Sequence, residues 1–336
     1  MKKSHKAFRA KQIYEWLWKN GVRSFEEMIN IPKDLITELN SHYAIHRFTI
    51  EQTQKSKDGT IKTAFKLHDG HLIEGVLIPT SKRTTACISS QVGCSMTCTF
   101  CATGRLKRMR NLEASEIFDQ VVAISQQAQE HYGKKLSNIV YMGMGEPLLN
   151  YANVLESIKR ITDPTAVGLG MSPKRITVST VGISKMIKKL ADDDVKFNLA
   201  LSLHAANDKK RSVIIPINEQ NSLSTLKEAI IYFHEKTGSR ITYEYIIFKN
   251  FNDELKDAQE LAEFCKITPC KVNVIEYNPI GNTELSQADP KKVDSFVSLL
   301  ESRNIIVNVR RSRGKDIDAA CGQLANKGQA SEQANI

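Results

Sequence analysis

No stretch of this 336-residue chain holds the run of about 18 apolar residues that a bilayer crossing needs, and its Lys-rich start lacks the apolar segment of a secretory signal. The expectation is a cytoplasmic protein with no membrane partner. Cysteine is too sparse for an extracellular scaffold: seven residues, unevenly spaced, do not make a disulfide framework in a chain of this size. A reducing compartment leaves such thiols free for metal binding or catalysis. Acid falls short of base, with 37 Asp plus Glu against 47 Lys plus Arg and a formal charge of +10. That surplus favours a polyanionic partner through counterion release, without by itself requiring one. The length suits one large α/β domain or two ordinary ones.

The cysteines that are present are concentrated. Cys94-Ser95-Met96-Thr97-Cys98-Thr99-Phe100-Cys101 places three in one short loop, with Cys87 upstream. Three thiolates so spaced reach three corners of a cuboidal iron-sulfur cluster and leave the fourth iron open. The competing reading is a zinc knot. Structural zinc closes its tetrahedron with four ligands, and no Cys or His follows closely enough to supply the last.

Along the chain, Ala10, Ile13, Tyr14 and Leu17 fall at helical spacing and Asn20-Gly21 supplies a stop, while Ser24-Phe25-Glu26-Glu27 reads as a capping box opening a second helix. Lys6, Arg9, Lys11, Lys19 and Arg23 surround these positions; each suits an RNA-facing helix, and each also suits an ordinary solvated face. From 46 to 83 the period changes to two, with Asp58-Gly59 and Asp69-Gly70 as hairpin turns between strands at 61–67 and 72–78. Beyond the cysteine loop, helices marked by Ile117, Val121, Ile124 and Ala128, by Val154, Ile158 and Ile161, and by Val293, Phe296, Val297 and Leu300 alternate with strands. The strands are expected at 138–142, 175–179, 197–202, 241–248 and 271–276. About six such repeats demand a mainly parallel sheet, open or closed into a partial barrel, with ligands at the carboxyl ends of its strands. The organisation expected is a helical unit at 1–45, a β-rich bridge at 46–83, an α/β core at 84–323 and a flexible tail at 324–336.

Polar groups gather at those strand ends. Gly143 and Gly145 would let backbone approach a ligand, Glu146 offers a carboxylate to an amine, and Ser179, Ser202-Leu203-His204 and Asn278 end or follow other strands. Singly, each Ser or Asn reads more simply as a turn or a cap. Together they would ring one cofactor. Cys321 stands in Arg313-Gly314-Lys315-Asp316-Ile317-Asp318-Ala319-Ala320-Cys321-Gly322-Gln323, where a buried filler is the bland alternative. Cys265 and Cys270 read as fillers.

The spacing of Cys94, Cys98 and Cys101 resembles the cluster loop of the radical S-adenosylmethionine (SAM) superfamily, and Gly145-Glu146-Pro147 resembles its motif for the SAM amino group. With Cys87, Glu74 and the Cys321 segment, residues 7 to 326 are similar to one family in particular, the dual-specificity ribosomal and transfer RNA methyltransferases acting on carbon 2 of adenine. Pro147 resembles that branch rather than the one acting on carbon 8. The resemblance implies a partial (β/α)6 radical SAM barrel with a small N-terminal helical accessory domain and a β-rich bridge. It implies a 4Fe-4S cluster on Cys94, Cys98 and Cys101, and SAM held by Gly145, Glu146, Ser179, Ser202, Leu203, His204 and Asn278.

By the same resemblance, Cys321 is methylated by one SAM. A second, cleaved reductively to a 5′-deoxyadenosyl radical, takes hydrogen from that methyl group, and the methylene radical adds to adenine. Cys87 then releases the RNA by attacking the Cys321 sulfur, which leaves a transient disulfide. Glu74 is implied as the proton acceptor, against the simpler reading of a strand residue facing solvent, and Met142 as an aid to ordering the Cys321 loop. The implied partners are 23S rRNA in the peptidyl-transferase region, tRNA beside the anticodon, and an electron donor such as flavodoxin or ferredoxin. Arg310, Arg311 and Arg313 could meet phosphate or form a solvated strand end. A carbon 8 methyltransferase, a radical SAM enzyme acting on protein, and a non-enzymatic iron-sulfur or zinc RNA-binding module are the rival readings.

Overall fold

The first helix forms where its periodicity places it. In a computed structural model that describes residues 6–165, 168–281 and 283–326, α1 (Phe8–Glu15) runs through a π-helical turn (Trp16–Asn20) and stops at Gly21, whose φ of 63° is left-handed. The capping box at Ser24 is present, but it opens only a single 3-10 turn (Phe25–Glu27) and not the helix expected there. Met28 leaves helical space and packs with Val22, Phe25, Ile31 and Leu35; this burial outweighs continuation of the turn. The second helix, α2 (Lys33–His42), starts after Pro32.

Four strands follow: β1 (Thr49–Lys55), β2 (Ile61–Lys66), β3 (Leu72–Pro79) and β4 (Thr84–Cys87), each antiparallel to the one before. Gly59 and Gly70 turn the first two hairpins at φ 88° and 83°, as the Asp-Gly pairs indicate. β4 then pairs parallel with β7 (Asn138–Tyr141), so the bridge and the core share one sheet. Between them lie the two-residue strands β5 (Gln91–Val92) and β6 (Arg110–Asn111), which pair across the base of the cysteine loop, and α3 (Ala114–Tyr132).

The chain continues as α4 (Tyr151–Thr162), β8 (Ile176–Thr180), α5 (Ser184–Asp192), β9 (Asn198–Ser202), α6 (Asp208–Ile214), α7 (Leu223–Thr237), β10 (Ile241–Ile247), α8 (Leu255–Phe264), β11 (Cys270–Glu276), α9 (Pro290–Ser302) and β12 (Val307–Arg310). The sheet order is β1-β2-β3-β4-β7-β8-β9-β10-β11-β12, parallel from β4 onward. Six strand-helix units stand in series and β12 adds a final parallel edge, an open α/β barrel as expected. The core lies between sheet and helices: Ile117, Val121, Ile124 and Ala128 of α3 are wholly buried, as is every residue of β10. Each large apolar side chain so covered stabilises the fold by about 1.5–3 kcal/mol before entropy is counted.

Among the described residues no helix is long and apolar enough to cross a membrane. Of the expected flexible tail, 327–336 lie outside the described residues, whereas Leu324 is buried and Ala325 and Asn326 are bonded to β3.

Candidate active site

The carboxyl ends of β7 to β11 converge on one pocket. Cys94, Cys98, Cys101, Cys321, Met142, Gly145, Glu146, Ser179, Ser202 and His204 all line it, so ten positions singled out in the sequence meet in space. Cys87, Glu74, Leu203 and Asn278 are not among its lining residues.

The cysteine loop is held on both sides. Thr99 N–H donates to the Ile214 carbonyl at 3.1 Å, and Ala102 N–H to that of Gly322 at 2.7 Å. Gly104 is required here, since a Cβ on it would lie 2.9 Å from the Cys98 carbonyl oxygen. Burial pushes the Cys94 thiol up to about 11 and the Cys98 thiol well above its usual range, and the negative charge of the neighbouring thiolates adds to both. Such a group is stable as thiolates only against concentrated positive charge. Among the described residues no three Cys, His, Asp or Glu side chains close on one point as a single metal ion demands. The three loop thiols share one pocket, and three thiolates suit a cluster with one open iron, whereas structural zinc takes four ligands.

Glu146 is 2% exposed. Its Oε1 accepts from Leu148 N–H at 3.0 Å and its Oε2 from Val181 N–H at 2.9 Å. Burial nevertheless pushes its pKa up to about 7, because two amide dipoles do not replace full hydration. A cation in the pocket would restore the carboxylate. The glycines beside it line the pocket and also pack closely against the chain. A Cβ on Gly143 would lie 2.7 Å from the Ile88 carbonyl, and one on Gly145, at φ 97°, 2.5 Å from Gln91 Cβ. Their close approach is to the segment after β4, which brings that segment and the cysteine loop against β7.

Ser179 and Ser202 face each other with their hydroxyl oxygens 3.4 Å apart. His204, at a positive φ of 56°, accepts from Ile246 N–H on Nδ1 at 3.0 Å; burial drops its pKa to about 3, so it is neutral with its proton on Nε2. Leu203, just past the end of β9, has a wholly buried side chain. Asn278 donates to the Cys321 carbonyl at 3.2 Å, while its buried Oδ1 has no partner.

Cys321 is exposed toward the cavity, and desolvation, with the charges of Glu244 and Cys101, raises its thiol to about 12. Cys87, buried at the end of β4, is also raised to about 12, first by burial and then by the charge of Cys321, against a bond from the Met142 N–H. The two thiols lie within electrostatic reach from opposite ends of the chain, and both are free.

Glu74 does not face solvent: it is 4% exposed on β3. Its Oε2 accepts from Ala325 N–H at 2.9 Å and Asn326 N–H at 3.3 Å, and its Oε1 stands 3.5 Å from Lys62 Nζ. Lys62 Nζ is also 3.5 Å from the Asp318 carbonyl oxygen. One buried ion pair therefore grips the Cys321 segment on both sides. The β1–β2 turn adds a second hold, since Asp316 Oδ1 accepts from Ser56 Oγ at 2.5 Å and Asp58 Oδ2 from Gly314 N–H at 2.9 Å. Arg313 donates to the Asp58 carbonyl and pairs with its carboxylate, so this arginine is committed to the turn. Arg310 and Arg311 are exposed.

Two residues of the site were not singled out in the sequence. Arg211, wholly buried, donates to the carbonyls of Val181, Ser202 and Leu203 and to Asn218 Oδ1, tying the ends of β8 and β9 together. It follows Asp208, Lys209 and Lys210, so its neighbours in the chain give no sign of burial. Glu244 lines the pocket in the middle of β10, fixed by Asn273 Nδ2 at 2.7 Å. An acid within an otherwise apolar strand was the available signal.

Comparison with known proteins agrees with this geometry. Residues 88–265 match the model of the radical SAM superfamily, and residues 1–45 match that of the ribosomal RNA large subunit methyltransferase N-terminal domain. A protein of Cytophaga hutchinsonii named "Probable dual-specificity RNA methyltransferase RlmN" is 59% identical over 96% of this chain and 88% of its own length. One of the same name from Bacillus licheniformis is 43% identical over 97% and 90%. The crystal structure of a radical SAM methyltransferase from Sphaerobacter thermophilus superposes with a TM-score of 0.87 at 39% identity, covering 94% of this chain and 92% of that one. Enzymes of this superfamily use SAM with a 4Fe-4S cluster, and the chain belongs to it as a member of the RlmN family of RNA methyltransferases.

Proposed function

We propose that the enzyme methylates carbon 2 of adenosine in 23S rRNA, in the peptidyl-transferase region, and in tRNA beside the anticodon, through a methyl group carried on Cys321. The observation that carries this reading is the gathering of Cys321 with Cys94, Cys98, Cys101 and Glu146 in one pocket at the carboxyl ends of the strands. Carbon 2 of adenine is electron-poor and has no acidity to exploit. The cluster and SAM supply, when bound, one-electron chemistry that ends in a carbon radical.

The residues do the rest. Cys94, Cys98 and Cys101 hold the cluster, and Glu146 meets the SAM amine in the dry pocket that Ser179, Ser202 and His204 line. Gly145, Leu203 and Asn278 contribute backbone and amide at its border. Cys321, facing the cavity, accepts the methyl group and through it bonds to the base. Cys87, as thiolate, then attacks the Cys321 sulfur: a sulfur–sulfur bond forms, the sulfur–carbon bond breaks, and the electron pair left on the methylene carbon takes up a proton to complete the methyl group. Glu74 takes the proton that carbon 2 gives up, which requires release of its bonds to Ala325 and Asn326. Met142 orders the Cys321 loop. An adenine must leave its stack to reach the pocket.

We place residues 1–45 as the accessory unit, 46–83 as the bridge and 84–323 as the reacting core. The setting is the cytoplasm, with flavodoxin or ferredoxin as electron donor. The test is anaerobic incubation of the reconstituted enzyme with SAM, reductant and protein-free rRNA or tRNA, followed by mass spectrometry of the nucleosides. 2-Methyladenosine with both S-adenosylhomocysteine and 5′-deoxyadenosine is the expected outcome. 8-Methyladenosine would assign the other branch, and no modified nucleoside would overturn the reading.

A further inference from the structure

Helical and strand periodicity reads Cys265 and Cys270 as separate core fillers, but the fold brings them together. α8 ends at Phe264, and Cys265 starts a 3-10 turn (Cys265–Ile267) that leads through Thr268 and Pro269 to Cys270, the first residue of β11. Cys270 Sγ donates to the Cys265 carbonyl oxygen at 3.5 Å, and both thiols line one cavity. Cys265 is buried and Cys270 half-buried. Both open on a cavity at the amino ends of β10 and β11, the end of the sheet opposite the active site, and Arg240, Lys266 and Arg303 line that cavity. Lys266 is paired with Glu263; among the described residues no carboxylate is bonded to the two arginines. Thr268, 7% exposed in the cavity wall, has its hydroxyl beside that of Tyr243.

The pair is asymmetric. Cys270 is the more accessible thiol, its S–H donating to the Cys265 carbonyl, and Cys265 is buried behind it. A half-buried thiol backed by a buried one is the arrangement of an attacking and a resolving cysteine. Arg240 and Arg303, on the same cavity, suit a small disulfide that bears carboxylates.

We propose that Cys265 and Cys270 form a thiol-disulfide exchange site for a small anionic disulfide of the glutathione type, separate from Cys87 and Cys321. Cys270 attacks one sulfur of the disulfide; a mixed disulfide forms and one thiolate leaves. Cys265 then attacks the Cys270 sulfur, its proton passing to the second leaving thiolate. The protein dithiol is oxidised by two electrons and the small disulfide is reduced to two thiols.

The test uses the cluster-loaded full chain under anaerobic conditions, poised with reduced and oxidised glutathione from roughly −300 to −180 mV. The sample is alkylated, digested with trypsin and mapped. Trypsin cleaves after Lys266, so the disulfide joins two peptides that are otherwise separate. The expected result is a cross-linked pair that appears within this range and is lost on reduction. Cys265→Ser should trap glutathione on Cys270, and Cys270→Ser should leave Cys265 unmodified. Arg240→Gln should slow the reaction with oxidised glutathione by a factor of about two to five, the weight of one exposed ion pair. It should leave the rate with uncharged 2-hydroxyethyl disulfide unchanged. The proposal is overturned if both cysteines of the unmutated chain stay fully alkylatable at every poise. It is overturned equally if glutathione remains on Cys270 with no cross-link, or if Cys265 is modified first.

Discussion

Replacing Glu74 tests how the Cys321 segment is held, independently of any chemistry. The carboxylate accepts two backbone N–H bonds from Ala325 and Asn326 and pairs with Lys62, whose side chain is 9% exposed. Glu74→Ala leaves that ammonium buried without its partner, a defect of about 3–5 kcal/mol. It also strips two amides of a charged acceptor, at about 1.5–3 kcal/mol for each such bond if nothing takes its place. Water admitted by the smaller side chain returns part of both, so the net expectation is a loss of about 3–5 kcal/mol in urea unfolding.

Lys62→Met/Glu74→Leu separates the two effects. Replacing both charges by apolar groups of similar volume is close to neutral for global stability, yet the acceptor for Ala325 and Asn326 is still missing. Hydrogen exchange of those two amides should therefore quicken by about 100-fold, the factor that roughly 3 kcal/mol of local opening supplies, while the amides of β10 keep their protection. Loss of less than about 1 kcal/mol in Glu74→Ala, within the range of ordinary surface substitutions and weak contacts, would refute the argument. Unchanged exchange at Ala325 and Asn326 in the double variant would refute it as well.

Three further outcomes follow from the pocket. Because Glu146 has its pKa raised from 4.5 to about 7, the native state holds a proton that the unfolded state has released between those values. Stability of the ligand-free protein should therefore fall as pH rises through this window, by up to about 3 kcal/mol. Glu146→Gln should remove that slope in urea titrations at pH 5 and 8 and weaken SAM binding by calorimetry; an unaltered slope would exclude Glu146 as its source. Replacing any one of Cys94, Cys98 or Cys101 by Ala should abolish the charge-transfer absorption of the reconstituted protein, since only three protein thiolates serve the cluster; a triple variant that kept the absorption would refute the assignment. Cys87→Ala should halt after the carbon–carbon bond and give a slow, nuclease-sensitive band on a denaturing gel, absent from Cys87→Ala/Cys321→Ala; release of methylated RNA at the normal rate would make Cys87 a bystander.

The parallel core was legible because its strands are mostly apolar and buried and its helices carry a 3.6-residue stripe, as in β10 and α3. The cysteine loop was legible because metal ligands must be near in space and here are near in sequence. What failed did so for tertiary reasons. The capping box at Ser24 is a local signal that burial of Met28 overrode. Arg211 gives no sign of burial because nothing local shows that three strand-end carbonyls await it. The hold of Lys62 and Glu74 on Asp318, Ala325 and Asn326 joins segments from opposite ends of the chain, which no spacing rule reaches. Gly143 and Gly145 stand at the pocket, and their close packing on Ile88 and Gln91 was not legible: a missing Cβ signals close approach without saying to what.

β4 is the strand at which the sheet turns from antiparallel to parallel, and Cys87 closes it. The other thiol arrives last from the ribosome, on a segment secured to β2, β3 and the β1–β2 turn. A nascent chain has synthesised every strand of the sheet, the cysteine loop and all the proposed SAM contacts before it possesses Cys321. Until that segment emerges and docks against the earliest strands, the proposed carrier of the methyl group is absent. A chain cut short before Cys321 therefore lacks the thiol through which the proposed covalent link to RNA would form.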